Sequence, residues 1–505
     1  MKRLMICLLA LLVSVPSLSS CAEEEAPADT AQKTAEAETI AEDTTSTDTE
    51  ESPEVPAETE YSRVNHPDTL PEMDFDGENV TFHVRAEEDN QKEIFVEGMT
   101  GDPIYDVVYE RNQLVEDRLN VSIELAIGDV WDQYDRTIGE IRASIAAGDG
   151  AFDVISGWSA RIPALSLEGL FLDLNDIPYL NLEQPWWNQS VTEELTIDGK
   201  LYFATGDIVL SHLKPMSVYA FNQKLADDAG VENLYSVVKE HRWTIDYVNA
   251  LISDKYEDLN GNGIHDEDDR YGLICSSVND ADGYMQGFRV SMVSRDEDGL
   301  PYLDVDKERM SKIVEKVYTL MWENAGCYAT TGDSTDMKAF AADKSLLVTT
   351  RIGDVIWQLS EMENDYGILP YPLLDESQTE YGTRVQDTMN LMCIPIDAKS
   401  AELSGAVLEA LAAQSYRTVT PAFFDIALKN RYSRDPETAE MMDLIKDSIL
   451  INFESLYNEC IGYPWTVLRS MMPQKSNNFS SYWASCEKLI KAKLSVAVRF
   501  IQKLE

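Results

Sequence analysis

The chain has 505 residues, 90 Asp+Glu against 41 Lys+Arg, 7 Cys and 5 His, with hydrophobic and aromatic fractions of 44% and 9%. That is globular material, too long for one core and too apolar to be wholly disordered. The formal charge of -49 argues against nucleic acid and against docking through a basic patch, and the lack of a CxxC pair or a Cys/His cluster at zinc spacing argues against the common zinc and dithiol-redox chemistries.

Lys2 and Arg3 precede an apolar run from Leu4 to Val15, long enough for the core of an export signal and too short to cross a bilayer. The run ends in Leu18-Ser19-Ser20-Cys21, which resembles the lipobox of bacterial lipoproteins. That resemblance implies a mature N-terminus at Cys21, acylated with a chain such as palmitate and held at a membrane. An ordinary signal peptide that happens to precede a Cys is the plainer alternative. Residues 22 to 60 carry fourteen acidic residues against Lys33 alone, with Ile40 and Val55 as the only large aliphatics, and cannot bury a core. They read as a tether with a coil span of roughly 35 Å. Subtracting the tether's -13 and the signal's +2 from -49 leaves -38 for residues 61 to 505.

From residue 79 short β-type runs alternate with helical spacing. A strand is expected at 80 to 85, a helix through Ile104, Val108, Val115 and Leu119, a strand at 121 to 127, a helix through Ile138, Ile141 and Ile145, and a strand at 152 to 155. This alternation predicts a parallel sheet covered by helices. Further strands or helices are expected at 200 to 207 (strand), 307 to 325, 402 to 416, 436 to 450 and 485 to 503 (helices). About 445 residues of α/β character predict two cores.

Several strings occur in order: Phe152-Asp-Val-Ile-Ser-Gly-Trp158, Gly199-Lys-Leu-Tyr-Phe-Ala-Thr-Gly-Asp207, Tyr219-Ala-Phe-Asn-Gln-Lys-Leu-Ala-Asp-Asp-Ala-Gly230, Trp243-Thr-Ile-Asp246, Tyr366-Gly-Ile-Leu-Pro-Tyr-Pro372 and Lys429-Asn-Arg-Tyr-Ser-Arg-Asp435. Together they resemble the extracellular solute-binding proteins of ABC importers, in the family that includes maltose-binding protein. The resemblance implies an α/β, two-lobe periplasmic-binding-protein-like fold with hinge crossovers and a helical C-terminal region. One lobe is then 61 to 210 with 385 to 435, and the other 211 to 384 with 436 to 505. It further implies a monomeric, non-enzymatic receptor, anchored outside the cell membrane through Cys21, that passes a carbohydrate to ABC permease subunits.

A sugar needs aromatic planes for its C–H faces and polar side chains for its hydroxyls. Trp158 follows the third strand and belongs at the carboxyl edge of the sheet, where open α/β folds bind ligands, and Arg161 is within reach of the same space. By the family resemblance Asp207, Arg351, Gln386, Asp387 and Trp465 are further ligand contacts. A buried helix face is the expectation for Trp357, and a structural role for Trp186 and Trp187.

Asp258-Leu-Asn-Gly-Asn-Gly-Ile-His-Asp-Glu-Asp-Asp269 places Asp258, Asn260, Asn262, Asp266 and Asp269 at positions 1, 3, 5, 9 and 12, with Gly263 at the sharp turn and the Ile264 carbonyl at position 7. That is the spacing of a calcium loop, with Asp269 where helix-loop-helix sites carry Glu, and it predicts a structural calcium ion. A solvated Asx/Gly turn is the alternative. No GxSxG elbow, P-loop, dinucleotide glycine motif or HExxH helix is present. A surface-anchored glycoside-acting enzyme and a same-fold receptor for a peptide or other small solute are the rival functions. Cys393 is expected as a buried thiol, and pairing of Cys460 with Cys486 is left open.

Overall fold

The computed structural model describes residues 62–332, 335, 337–359, 362–429 and 436–503. The signal segment, Cys21 and the acidic tether lie outside the described residues. Among the described residues no helix is long and apolar enough to cross a membrane.

Strand β1 (Glu78–Val84) opens the first sheet. The Asp102 carboxylate accepts the Ile104 and Tyr105 backbone N–H groups at 2.9 and 3.2 Å, and Pro103 starts the helix Pro103–Leu119 with its φ already helical. Asn120, at φ 49, ends that helix in the left-handed region and feeds β2 (Val121–Ile127), which pairs with β1 in parallel from Glu78 opposite Val121 to Val84 opposite Ile127. The helix Tyr134–Ala147 then leads to β3 (Val154–Trp158), parallel to β1. This strand starts two residues later than expected; just before it the Asp153 carboxylate accepts the Thr81 N–H at 2.9 Å. The strand Asn390–Cys393 joins β3 in antiparallel register, so the sheet is mixed rather than wholly parallel.

The second sheet contains β4 (Ser217–Asn222), β5 (Tyr271–Ser276), β6 (Cys327–Thr330), β7 (Ser345–Arg351) and β8 (Tyr366–Leu369), in the order β8-β4-β7-β5-β6. β4 is antiparallel to both neighbours, while β5 is parallel to β6 and β7. The run 200 to 207, expected as a strand, makes only isolated bridges, among them Ala204 with Met392 and Trp187 with Gly206. Here the chain is leaving one sheet for the other. Gly206 passes so close to Trp186 that an added Cβ would stand 2.1 Å from its carbonyl oxygen. Among the described residues two segments that cross between the sheets bridge each other at Ala204 with Met392 and again at Met216 with Val385.

The expected helix from 307 ends early, as Lys307–Tyr318 with a wider turn over Thr319–Glu323. Ser400 caps Ala401–Arg417, and Asn478 caps a C-terminal helix, Phe479–Ile501, that begins six residues before its expected start. Pro436–Asp447 stops short of 450 because Ile449–Leu450 pairs with Thr383–Arg384. Phe82, Val407 and Leu411 are fully buried against the first sheet, and Trp243, Leu273 and Leu347 against the second. Each such side chain contributes about 1.5–3 kcal/mol of transfer free energy. A third cluster runs from Ile155 and Leu391 through Met216 to Val218 and Val348, and it joins the two sheets.

Candidate functional site

Two adjoining cavities share Arg351 and Asp354. The first, about 530 Å³, lies against the second sheet, with Ser217, Asn279, Asp280, Thr349 and Arg384 in its wall. The second, about 340 Å³, lies between the sheets: Arg85 and Glu87 follow β1 on one side, and Lys214, Arg351 and Trp357 face them from the other. Arg85 and Trp158 stand at the carboxyl ends of the parallel strands β1 and β3, the edge at which open α/β sheets bind ligands.

The first cavity is built on strand register. Ser217 pairs with Arg351, and Met216 bridges Val385, which by the antiparallel register sets Arg384 opposite Ser217. Opposed residues share a face, so Arg351, Ser217 and Arg384 form a row. Thr349, two residues before Arg351, is on that face as well. Its hydroxyl donates to Asp280 Oδ2 at 2.7 Å, and the same oxygen accepts from the Ser276 N–H at 2.8 Å and the Thr335 hydroxyl at 2.6 Å. Burial raises the Asp280 carboxyl above its ordinary range against those bonds.

Arg351 donates from Nε to Asp354 Oδ2 at 2.6 Å and from Nη1 to Gln386 Oε1 at 3.1 Å, so two of the expected contacts meet at the junction of the cavities. Asp387 lies beside it in a charge network. Arg469 donates from Nε to Asp282 Oδ2 at 2.5 Å and from Nη1 to Asp387 Oδ2 at 3.3 Å. Asp282 is fully buried, and burial raises its carboxyl while Arg469 and Arg384 pull it down. The Asp387 carbonyl accepts the Trp158 indole N–H and, at 3.1 Å, the Ser159 hydroxyl. The Arg85 guanidinium lies 5.1 Å from the Trp158 ring centroid, so a cation rests on that ring.

The other three expected contacts are elsewhere. Arg161 forms ion pairs with Asp135 and, at 3.0 Å, with Glu459. Asp207 is buried and paired with Arg63, and its backbone N–H donates to the Trp186 carbonyl at 2.9 Å. It lines neither cavity. Trp465 is buried in the apolar core of the second sheet, so its ring has no face for a ligand. Trp357, by contrast, is 44% exposed in the second cavity with the Lys214 ammonium 4.8 Å above its ring, and the expectation of a buried face fails. The helix Ile352–Gln358 buries Ile352 and Val355 instead. Trp186 and Trp187 are both buried, and the Trp187 indole donates to Glu409 Oε2 at 3.0 Å. Arg85 ends the strand expected at 80 to 85, whereas Arg384, Asp280 and Lys214 carry no local signal and reach the cleft only through tertiary pairing, with Arg469 behind Arg384 against Asp282 and Asp387.

The 258 to 269 segment is a loop braced by its own side chains. Asp258 accepts from the Gly261 and Gly263 N–H groups at 2.7 and 2.8 Å, and both glycines have positive φ. The Asn262 amide donates to Asp266 Oδ2 at 2.8 Å, while Asp269 is fully buried and accepts from the Tyr256 hydroxyl at 3.0 Å and the Leu259 N–H at 3.2 Å. Among the described residues no group of three or more His, Cys, Asp or Glu side chains is arranged around a metal position. The donors fit a hard cation in chemistry, once the Asn260 and Asn262 amides turn their oxygens toward it. All five described cysteines are free thiols. Cys393 is buried, Cys460 and Cys486 are not joined, and Cys275 and Cys327 have Sγ atoms 3.8 Å apart.

Two α/β sheets, two chain segments bridged as they cross, and a polar cleft faced by both define a two-lobed binding-protein fold. Residues 127–415 match the bacterial extracellular solute-binding protein family, and the chain belongs to it. The fold is similar to that of UspC from M. tuberculosis (TM-score 0.53, 13% identity, 83% of this chain and 100% of that one). It is also similar to an ABC substrate-binding protein from Listeria monocytogenes in complex with cycloalternan (TM-score 0.50, 12% identity, 85% and 100% covered). A third similar structure is a cyclo/maltodextrin-binding protein complexed with maltotetraose (TM-score 0.50, 14% identity, 84% and 96% covered). No curated protein matches the chain.

Proposed function

We propose that the protein is a receptor, leashed to the outer face of the cell membrane through an acylated Cys21, that captures a carbohydrate in its interlobe cleft and delivers it to an ABC permease. The observation that carries this reading is the polar cleft with walls from both sheets, lined by hydroxyl, amide, carboxylate and guanidinium groups. Such groups exchange hydrogen bonds with sugar hydroxyls without doing chemistry on them. Two of the similar structures hold carbohydrates, cycloalternan and maltotetraose, in the same fold. The membership of Asn390–Cys393 in the first sheet supports a lobe of 61 to 210 with 385 to 435, and that of β4 to β8 a lobe of 211 to 384 with 436 to 505. Closure then bends the bridged crossing segments, beside which these lobe bounds require a third passage of the chain at 435 to 436.

Within the cleft, Arg351, Gln386 and Asp387 are the ligand contacts of this reading, with Trp158 held beside Asp387. The loop at Asp258, Asn260, Asn262, Ile264, Asp266 and Asp269 takes a calcium ion that braces the fold. The protein acts as a monomer and releases its solute unchanged. A panel of oligosaccharides tested by thermal shift and isothermal titration decides the matter: a matched sugar raises the melting temperature with concentration. Hydrolysis of a bound oligosaccharide by the pure protein would replace the receptor with a glycoside-acting enzyme, and a response to peptides alone would replace the carbohydrate.

A further inference from the structure

We propose that the solute is an acidic saccharide whose anionic group is received between Arg351 and Arg384. This rests on the receptor reading above and narrows its ligand class.

The row Arg351, Ser217, Arg384 faces one cavity, and each guanidinium, though ion-paired, keeps hydrogen-bonding capacity that the protein does not fill. Arg384 is buried, with 4% of its surface exposed, yet its nearest carboxylates, Asp282 and Asp387, stand 3.7 and 3.8 Å away. Both of those carboxylates are taken more closely by Arg469, at 2.5 and 3.3 Å. The hydrogen bond that Arg384 does make is to the Asn279 carbonyl, at 3.2 Å. Arg351 lines the cavity and commits Nε and Nη1, while its Nη2 has no hydrogen-bond partner among the described residues. A buried guanidinium whose two carboxylates both stand beyond hydrogen-bond distance is incompletely satisfied, and its forked donors match a planar carboxylate or a phosphate edge.

The cavity lining carries Arg351, Arg384 and Lys338 against Asp280 and Asp354. Asp280 has one oxygen saturated by three donors, and burial favours its protonated form. Asp354 is already paired with Arg351. None of the residues lining this cavity is aromatic, so a neutral sugar would find no ring to stack on there and would leave the Arg384 fork half satisfied. A sugar ring carrying an anion supplies the missing acceptor and presents its hydroxyls to Ser217, Asn279 and the free oxygen of Asp280.

The test uses the purified full chain and three probes: trigalacturonate, a sugar phosphate such as glucose 6-phosphate, and neutral maltotetraose. We expect an acidic probe to raise the melting temperature progressively, with the logarithm of its concentration above Kd, and the arms identify whether carboxylate or phosphate is the preferred anion. Arg351→Gln, at a half-exposed position that tolerates change, should weaken the acidic probe roughly 10- to 100-fold, the equivalent of one lost charged hydrogen-bonded pair, with an unchanged circular dichroism spectrum. Arg384→Gln should do the same. Binding of neutral sugar in preference to both acidic probes, or acidic binding indifferent to Arg351→Gln, overturns the inference and leaves the receptor standing. Failure of every saccharide overturns both.

Discussion

Glu93 offers the most direct test of how the cleft is held open to the right width. Its carboxylate is buried and accepts three hydrogen bonds: Oε2 from the Ser211 N–H at 2.7 Å, and Oε1 from the Ser211 hydroxyl at 3.0 Å and from Asn390 Nδ2 at 2.6 Å. Ser211 is in one crossing segment and Asn390 at the end of the other, so one side chain ties both to the segment that follows β1. Glu93→Ala strands three donors, of which the two buried N–H groups cost about 1–3 kcal/mol each, so the loss should be about 3 kcal/mol or more. Glu93→Gln keeps the shape but points an NH2 at either Ser211 or Asn390, where a donor meets a donor, and should cost about 1–3 kcal/mol. Urea denaturation of the three proteins measures both values, and titration with a bound solute should show weaker affinity in the same order. Glu93→Ala within 1 kcal/mol of the parent would refute the idea that this carboxylate fixes the crossing.

Glu409 and Glu454 are buried and their carboxyls are pushed up to about 7, first by desolvation. Being raised from 4.5, each contributes stability that is complete below that value and is lost as pH rises through 7, about 3 kcal/mol per group at full ionisation. The melting temperature should therefore fall between pH 5 and 8 relative to Glu409→Gln; parallel pH profiles would count against it. Arg469→Met leaves Asp282 buried with Arg384 alone at 3.7 Å, and should destabilise by about 3–5 kcal/mol in urea, with partial recovery in the double variant with Asp282→Asn. If calcium occupies the 258 to 269 loop, millimolar calcium should raise the melting temperature over chelator and Asp258→Asn should abolish the rise; identical curves remove the ion from the account.

The layout of the first sheet was legible because its signals are local. Apolar spacing through Ile104, Val108, Val115 and Leu119 marks the helix and Val121 onward alternates at strand period, so both elements fall within a residue of their expected bounds. The run 200 to 207 misled because its apolar residues are buried by a crossing segment, which looks like a strand in composition without pairing as one. The site was legible only in part. Arg351 and Gln386, expected from resemblance, line the first cavity and are hydrogen-bonded to each other, and Asp387 lies beside them against Arg469, but Trp465 has the composition of a stacking platform and the burial of a core residue. The row through Ser217 depends on the register of strands more than 100 residues apart, and no window of sequence holds that information.

The body is strongly acidic while the proposed anion site is a pair of guanidiniums, and this separates two readings by kinetics. Residues 61 to 505 carry -38, so at low salt an approaching anion is repelled by the whole protein before it reaches Arg351 and Arg384. The Debye length falls from about 30 Å at 0.01 M to about 8 Å at 0.15 M, which removes the distant carboxylates from account while the anion at contact still meets the two guanidiniums. Added salt should therefore speed association of an acidic saccharide. It should also speed dissociation, since the half-exposed Arg351 contact is itself screened. A neutral sugar should show a flat association rate. Stopped-flow tryptophan fluorescence, with Trp357 in the cleft as reporter, separates these cases. An association rate for the acidic probe that falls with salt would mean that the cleft arginines, not the acidic surface, govern the approach, and that the cleft focuses its field far beyond its own mouth.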